Sequence, residues 1–324
     1  MCLVCVIICS TFSILISSWF IRLNHNEKLY IKSILIGKLK NDFMRVGKKI
    51  IFSLISIIVA LIAIFSVYIY VSVPIPSNSQ NKIVQISFDD VYLCIKDLKD
   101  TLRYTSVFQQ PFFKSLKELH DVYGAVFSLY VYEKADNFVI TEVPDKFRNE
   151  FIENSEWLKF GYHAIEPRFD KKEQSLEFER SFLNVRKSIL HWAGKSSLAP
   201  CLRLHYYFAD DSMIAILKKY KVYHLLGADD EGRISYNLNR LQSDSLYARR
   251  AYIYDSIYYH KTDIRIERME CFPLELLNYQ NKDTITLFSH EWAMNGHRNI
   301  LNRIKLRQSI KWLAKNNYKF TFLE

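Results

Sequence analysis

The stretch Lys82 to Asp90 reads KIVQISFDD, and it constrains the chain more than any other. Ile83, Val84, Ile86 and Phe88 give it the β-branched and aromatic character of a buried strand, with partial period-2 alternation. It ends in two adjacent acids, Asp89 and Asp90. A pair of carboxylates beside a core is costly unless each ionises against something, such as a cation, an arginine or a reacting water. The plainer reading is a helix cap, since aspartate suits both the N-cap position and the positive end of the helix dipole.

Later segments tilt the balance toward a site. Pro111 opens a helix running to Tyr123, and Gly124 to Tyr132 follows as a second strand. A third strand is expected at Trp157 to His163, a helix at Lys171 to Trp192, and a fourth strand at Pro200 to Leu204. Asp210 to Lys219 reads as a helix capped by its own aspartates, and Val222 to Leu226 as the fifth strand. Residues 229–282 break into short Tyr- and Arg-rich runs that read as β-hairpin insertions. The rhythm resumes with a strand at Asp283 to His290, a basic amphipathic helix at Arg298 to Asn316 and a last strand at Tyr318 to Leu323. The pattern predicts an α/β domain, a distorted seven-stranded (β/α) barrel with β-hairpin insertions. Such barrels concentrate chemistry at the C-terminal ends of their strands. Asp89, Asp90, His163, Arg203, His205 and His290 all fall there.

Four of these strand ends are Ser87-Phe88-Asp89-Asp90, Gly161-Tyr162-His163, Leu202-Arg203-Leu204-His205 and Leu287-Phe288-Ser289-His290-Glu291. In that order they resemble the motifs of the polysaccharide deacetylase (NodB-like, carbohydrate esterase family 4) superfamily, over residues 82–324. The resemblance implies a hydrolase acting on carbon–nitrogen bonds other than peptide bonds, dependent on a divalent metal ion, with zinc the expected one. It makes Asp89 the general base and Asp90 and His163 metal ligands. Arg203 would pair with the base, and His290 would protonate the leaving group. The chain departs from the pattern at Pro167, where a second histidine is usual. Two protein ligands are too few for a tight zinc site. Glu166, His205 or an extra water would complete the shell, and His205 is favoured because it leaves the next strand end. The proline-rich continuation after Arg203 is also absent, and Glu291 replaces the aspartate that often follows His290. Glu291 is expected to orient that imidazole, and Trp292 to offer an apolar wall or sugar-stacking face. Asp229 and Asp230 stand in for a fourth motif or form a turn. His120, His191, His224, His260 and His297 are read as structural or solvated.

The N-terminal quarter carries a different signal. Residues 1–21 and 50–73 contain uncharged runs of the roughly 20 residues that a bilayer requires, so both are expected to be transmembrane helices. Between them, residues 22–49 hold eight basic residues against Glu27 and Asp42, which is +6 of the chain's formal +10. The positive-inside rule makes this a cytoplasmic loop. Residues 74–81, rich in proline and small polar residues, then form a linker, and residues 82–324 work outside the cell membrane. The remaining +4 is spread over a large domain and is no phosphate-tracking patch, so nucleic acid is not an expected partner. Of the six cysteines, Cys2, Cys5 and Cys9 lie in the first run. Cys94, Cys201 and Cys271 are read as buried thiols, with one disulfide among them the alternative.

The leading expectation is a membrane-anchored, metal-dependent deacetylase removing N- or O-acetyl groups from cell-surface polysaccharide. The alternatives are a glycan-binding pseudoenzyme that lost its metal through Pro167, and a metal-independent glycoside hydrolase. The last needs Asp89 paired with Glu166 or Glu291 across roughly 5 to 9.5 Å.

Overall fold

Ile83–Val91 forms β1, the axis of the larger sheet. In chain order β2 is Phe127–Tyr132, β3 Lys134–Ala135, β4 Phe138–Val139, β5 Leu158–Ala164 and β6 Cys201–Leu202. The later strands are β7 His224–Leu226, β8 Ala251–Tyr254, β9 Ile257–His260, β10 Ile264–Arg265, β11 Thr284–His290 and β12 Lys319–Phe320. The computed structural model describes residues 52–63, 65, 82–168, 170–270, 274–296 and 299–324. It divides the chain into two units, Met1–Pro74 and Ile75–Glu324.

The larger sheet runs β10-β11-β1-β2-β5, with β12 also paired to β1, and every pairing in it is parallel. A second sheet runs β6-β7-β9-β8, in which β8 and β9 form an antiparallel hairpin. A parallel bridge between Phe160 and Leu198 links the end of one sheet to the start of the other. The architecture is a mixed α/β fold with a parallel sheet, compatible with a barrel-like domain. All seven strands read from the sequence are present, several of them shorter than expected. Where the two sheets approach each other, Gly161 leaves room. A Cβ there would lie 2.4 Å from the Leu202 side chain and 3.1 Å from Tyr130.

The helices form where the sequence provides ends and an apolar face. In Pro111–Tyr123 the Gln110 side chain accepts from the Phe112 and Phe113 amides, and Gly124 closes the helix at φ 70°. Asp170 caps Lys171–Trp192 by accepting from Glu173 N, and Phe178, Phe182, Val185, Ile189 and Trp192 make up its buried stripe. Burying each of those side chains contributes roughly 1.5–3 kcal/mol. Asp210 caps Asp211–Lys219, as expected.

The insertion between Asp229 and Lys282 differs from the expected run of hairpins. Arg240–Arg249 is a helix, nucleated by an Asn239–Gln242 capping box. The hairpin β8–β9 is there, but β9 pairs parallel to β7 and so belongs to the second sheet rather than decorating its rim.

The expected span at 1–21 and loop at 22–49 lie outside the described residues, as does the linker at 74–81. Of the second expected span, residues 52–63 are helical, with Phe52, Leu54, Ile55 and Ile57 more than half exposed. Among the described residues no helix is long and apolar enough to cross a membrane. Cys94 and Cys201 are free, buried thiols, and Cys271 lies outside the described residues.

Candidate active site

Neighbouring residues of a strand point to opposite faces, so Asp89 and Asp90 should not serve one cavity. They do because β1 is irregular. Its register with β2 shifts between Phe88 and Val91, and Asp90 takes φ 57°. Aspartate tolerates this left-handed conformation better than most side chains, and the bulge re-aims it. Both acids thereby line a cavity of ≈ 260 Å³ together with His163, Arg203, His205 and His290. All six residues picked from the sequence therefore meet at one place.

Three of them bring their donor atoms within 4.8 Å of one another. His163 Nε2 lies 3.3 Å from Asp90 Oδ1 and 3.1 Å from His205 Nδ1, and His205 Nδ1 lies 3.6 Å from Asp90 Oδ1. A tetrahedral ion about 2.1 Å from each donor needs donor–donor edges of about 3.4 Å, which these three match. The outer ring nitrogens support the same reading. His163 Nδ1 is 2.7 Å from the Arg203 carbonyl oxygen, and His205 Nε2 is 3.2 Å from the Pro167 carbonyl oxygen. A carbonyl only accepts, so both outer nitrogens carry their protons, and in the neutral rings both inner nitrogens turn lone pairs toward Asp90. Two lone pairs and a carboxylate oxygen facing one point repel one another unless a positive charge sits between them.

The titration behaviour follows from that arrangement. Burial alone would raise the Asp90 carboxyl, but the hydrogen bond and charge of His163, the charge of His290 and the Tyr132 hydroxyl together hold it far below the usual carboxylate range. Burial lowers His163, yet the Asp90 hydrogen bond and the charges of Asp89 and Asp90 leave it raised. His205 is pushed down to about 3, by burial first and then by positive charge at His163.

Pro167, the departure from the motif, still touches the cluster: its carbonyl lies 3.2 Å from Nε2 of His205, which arrives from the strand end after β6. Glu166 turns elsewhere, accepting from Arg168 at 3.1 Å and pairing with Lys134 at 3.5 Å.

Asp89 is 3% exposed and Arg203 1%. Arg203 Nη1 donates to Asp89 Oδ1 at 3.0 Å and to Ser87 Oγ at 2.9 Å, and Nη2 donates to Thr262 Oγ1 at 2.9 Å. Its guanidinium carbon sits 4.2 Å from the Phe288 ring centroid. Burial would lower the Arg203 pKa, but Asp89 raises it, so the guanidinium keeps its charge. Asp89 is paired to His290 in the β1–β11 register, which puts the acid and the imidazole at the same level of the sheet.

His290 is oriented, but not by Glu291. Glu291 is fully buried and accepts from the amides of Tyr92, Leu93 and Cys94 at 2.8, 2.9 and 2.6 Å. It opens the 3-10 turn Glu291–Ala293 that follows the strand, and its side chain turns to those amides rather than to His290. It therefore cannot serve as the second acid of a glycoside hydrolase either. Glu267 does the work expected of it, hydrogen-bonding His290 Nδ1 while receiving Ser289 Oγ at 2.8 Å and Arg265 Nε at 3.0 Å. Burial would raise Glu267, but the hydrogen bond and charge of His290 bring it below its ordinary value. His290 Nε2 then faces Asp90 Oδ2 at 3.8 Å. Trp292 stacks on the His290 ring at 5.2 Å, donates to Asp90 Oδ2 at 3.0 Å and forms part of the cavity wall, as its sequence position suggested.

Glu267 and Tyr132 were not singled out in the sequence. Glu267 follows a two-residue strand inside the insertion and carries no motif. Tyr132 ends β2, so its place at a parallel strand end was the available signal. Its hydroxyl donates to Asp90 Oδ1 and lies 3.3 Å from His205 Nδ1. Asp229 and Asp230 both pair with Arg268, and Asp229 also accepts from Tyr207 at 2.9 Å. His120 stacks on Trp157, and His224 lies 3.0 Å from His260, both away from the cavity residues. His297 lies outside the described residues.

No family model matches the chain, and no curated protein matches it. The solved structures to which it is similar include the catalytic domain of a peptidoglycan N-acetylglucosamine deacetylase from Eubacterium rectale, at 13% identity and TM-score 0.39 over 78% of this chain and 94% of that one. Another is a family 4 acetyl xylan esterase from Clostridium thermocellum in complex with a cobalt ion, at 12% identity and TM-score 0.40 over 74% and 87%. A chitin deacetylase from Colletotrichum lindemuthianum is similar at 12% identity and TM-score 0.36 over 76% and 88%. At such identities and scores the reading of this cavity rests on its own geometry.

Proposed function

We propose that residues 82–324 are a divergent polysaccharide deacetylase that hydrolyses acetyl groups on carbohydrate, using a divalent cation held by Asp90, His163 and His205. The observation that carries this reading is the convergence of two imidazole lone pairs and a carboxylate oxygen, beside a buried Asp89–Arg203 pair and an imidazole held by Glu267. A donor set of two imidazoles and one carboxylate suits zinc. When bound, such an ion polarises an acetyl carbonyl and makes a water more acidic. Asp89, oriented through Oδ1 by Arg203, takes the proton of the water that adds to the carbonyl carbon. Protonated His290, its Nδ1 tied to Glu267, gives the Nε2 proton to the departing nitrogen or oxygen of the sugar. The products are acetate and the deacetylated sugar. Tyr206 and Trp292, 53% and 49% exposed, provide ring faces for the sugar at the mouth.

We place this domain outside the cell membrane, anchored through residues 1–21 and 50–73. The uncharged runs, the +6 loop and the exposed apolar side chains of the 52–63 helix support that placement.

Elemental analysis of the purified full chain, with acetate release from chitooligosaccharides and O-acetylated xylo-oligosaccharides, tests the proposal. One divalent ion per chain and acetate release that a chelator abolishes are expected. Asp89→Asn should keep the ion and lose turnover, whereas His163→Ala should lose both. Protein loaded with metal that releases no acetate from either substrate would overturn the hydrolase reading, and protein that binds no metal would leave a glycan-binding role.

A further inference from the structure

We propose that the sugar bearing the acetyl group also carries a carboxylate, and that Arg233 receives it. This rests on the deacetylase reading above and names its substrate class. The charges lining the cavity have close partners, and Arg233 has the weakest of them, a long ion pair with an Asp230 that Arg268 shares. Asp89 is answered by Arg203, Arg265 donates to Glu267 at 3.0 Å, and Asp90 faces the two imidazoles and the cation they would hold. Among the described residues no carboxylate comes within hydrogen-bonding distance of Arg233. The nearest, Asp230 Oδ2, stands 3.7 Å away, and Asp230 is already hydrogen-bonded to Arg268.

Arg233 is nonetheless held in place. Its guanidinium carbon lies 4.8 Å from the Tyr207 ring centroid and 5.8 Å from that of Tyr206. Tyr207 is fixed by its hydrogen bond to Asp229. Both tyrosines have φ 55°, a left-handed conformation that costs a bulky residue of order 1 kcal/mol or more and clusters at ligand-binding sites. A guanidinium stacked by its face keeps its N–H edge for in-plane acceptors, and a planar carboxylate matches that fork with two parallel hydrogen bonds. The side chain is 33% exposed at the mouth, beside the exposed rings of Tyr206 and Trp292. An acetylated uronic acid, or another sugar acid, would place its acetyl group at the centre and its carboxylate at Arg233.

Calorimetric binding to the metal-loaded full chain tests this with oligogalacturonate and a xylo-oligosaccharide of equal length, both without acetyl groups so that no turnover intervenes. The anionic oligomer should bind at least tenfold tighter in low salt, and its advantage should shrink at high ionic strength. Arg233→Gln should cut that ratio about tenfold, with a melting temperature like that of the unsubstituted chain. Equal affinities in the unsubstituted chain, no binding of either oligomer, or a ratio that Arg233→Gln leaves intact would each overturn the inference. A preserved preference without acetate release from any acetylated substrate would overturn the deacetylase reading instead.

Discussion

Replacing Arg203 with methionine would expose how strongly the acid–base site depends on one buried charge pair. The guanidinium is 1% exposed and donates to Asp89, Ser87 and Thr262 at 2.9–3.0 Å while lying on the Phe288 ring. Methionine preserves the apolar stem over that ring and removes all three donors. A buried ion left without its partner costs about 3–5 kcal/mol. The two hydroxyls that lose a donor add up to about 1 kcal/mol each, although losses at one site do not sum fully. For a domain of this size about 1 kcal/mol moves the melting temperature by roughly 2–4 °C, so Arg203→Met should melt about 6–20 °C lower. The double variant Asp89→Asn, Arg203→Met no longer buries a lone charge and should recover more than half of the loss. Urea denaturation and calorimetry of both variants and the unsubstituted chain at neutral pH measure both differences. An Arg203→Met variant within about 1 kcal/mol of the unsubstituted chain, or a double variant no more stable than the single one, would show that the pair is not the buried ionic contact described above.

Tyr132→Phe keeps the ring contacts with His163 and His205 and removes the hydroxyl on Asp90, so metal affinity measured by chelator competition should fall about 10–100-fold. Unchanged affinity would assign Tyr132 to packing alone. Glu267→Gln should lower kcat for acetate release about a hundredfold with little change in KM, since it loosens the proton donor rather than the substrate. A change confined to KM would contradict that role. His260 is pushed down to about 4, by burial first and then by His224, so folding favours its neutral form. Its contribution is therefore complete above the unfolded value near 6.5 and is lost as pH falls toward about 4, an effect of about 3 kcal/mol. His260→Gln should lose correspondingly less stability than the unsubstituted chain between those two pH values in denaturant titrations.

The sequence was most legible where one residue type can perform one job. Strand ends rich in Asp, His and Arg stood out, and Asp89, Asp90, His163, Arg203, His205 and His290 do share one cavity. The long helices were readable because Gln110–Pro111, Asp170 and Asp210 mark their starts. Glu291 does not orient His290 because adjacency in sequence is not adjacency in space: the strand ends at His290, and Glu291 opens a turn whose carboxylate goes to three backbone amides. Glu267 was hidden because it lies in a short turn after a two-residue strand, in a region with no period to read. The Arg240–Arg249 helix was missed because its start is marked by asparagine and glutamine rather than by an apolar stripe, and few of its residues are buried.

The three candidate ligands do not come from one loop. Asp90 belongs to β1 and His163 to β5 of the larger sheet, whereas His205 follows β6 of the other, and among the described residues the sheets meet at the Phe160–Leu198 bridge and at side-chain contacts such as Tyr130 to the Cys201 carbonyl. An ion bound there would act as a rivet across that joint. Anything that prises the joint apart, including a bulkier side chain at Gly161, would be felt first as a weakened hold on metal, well before the domain unfolds.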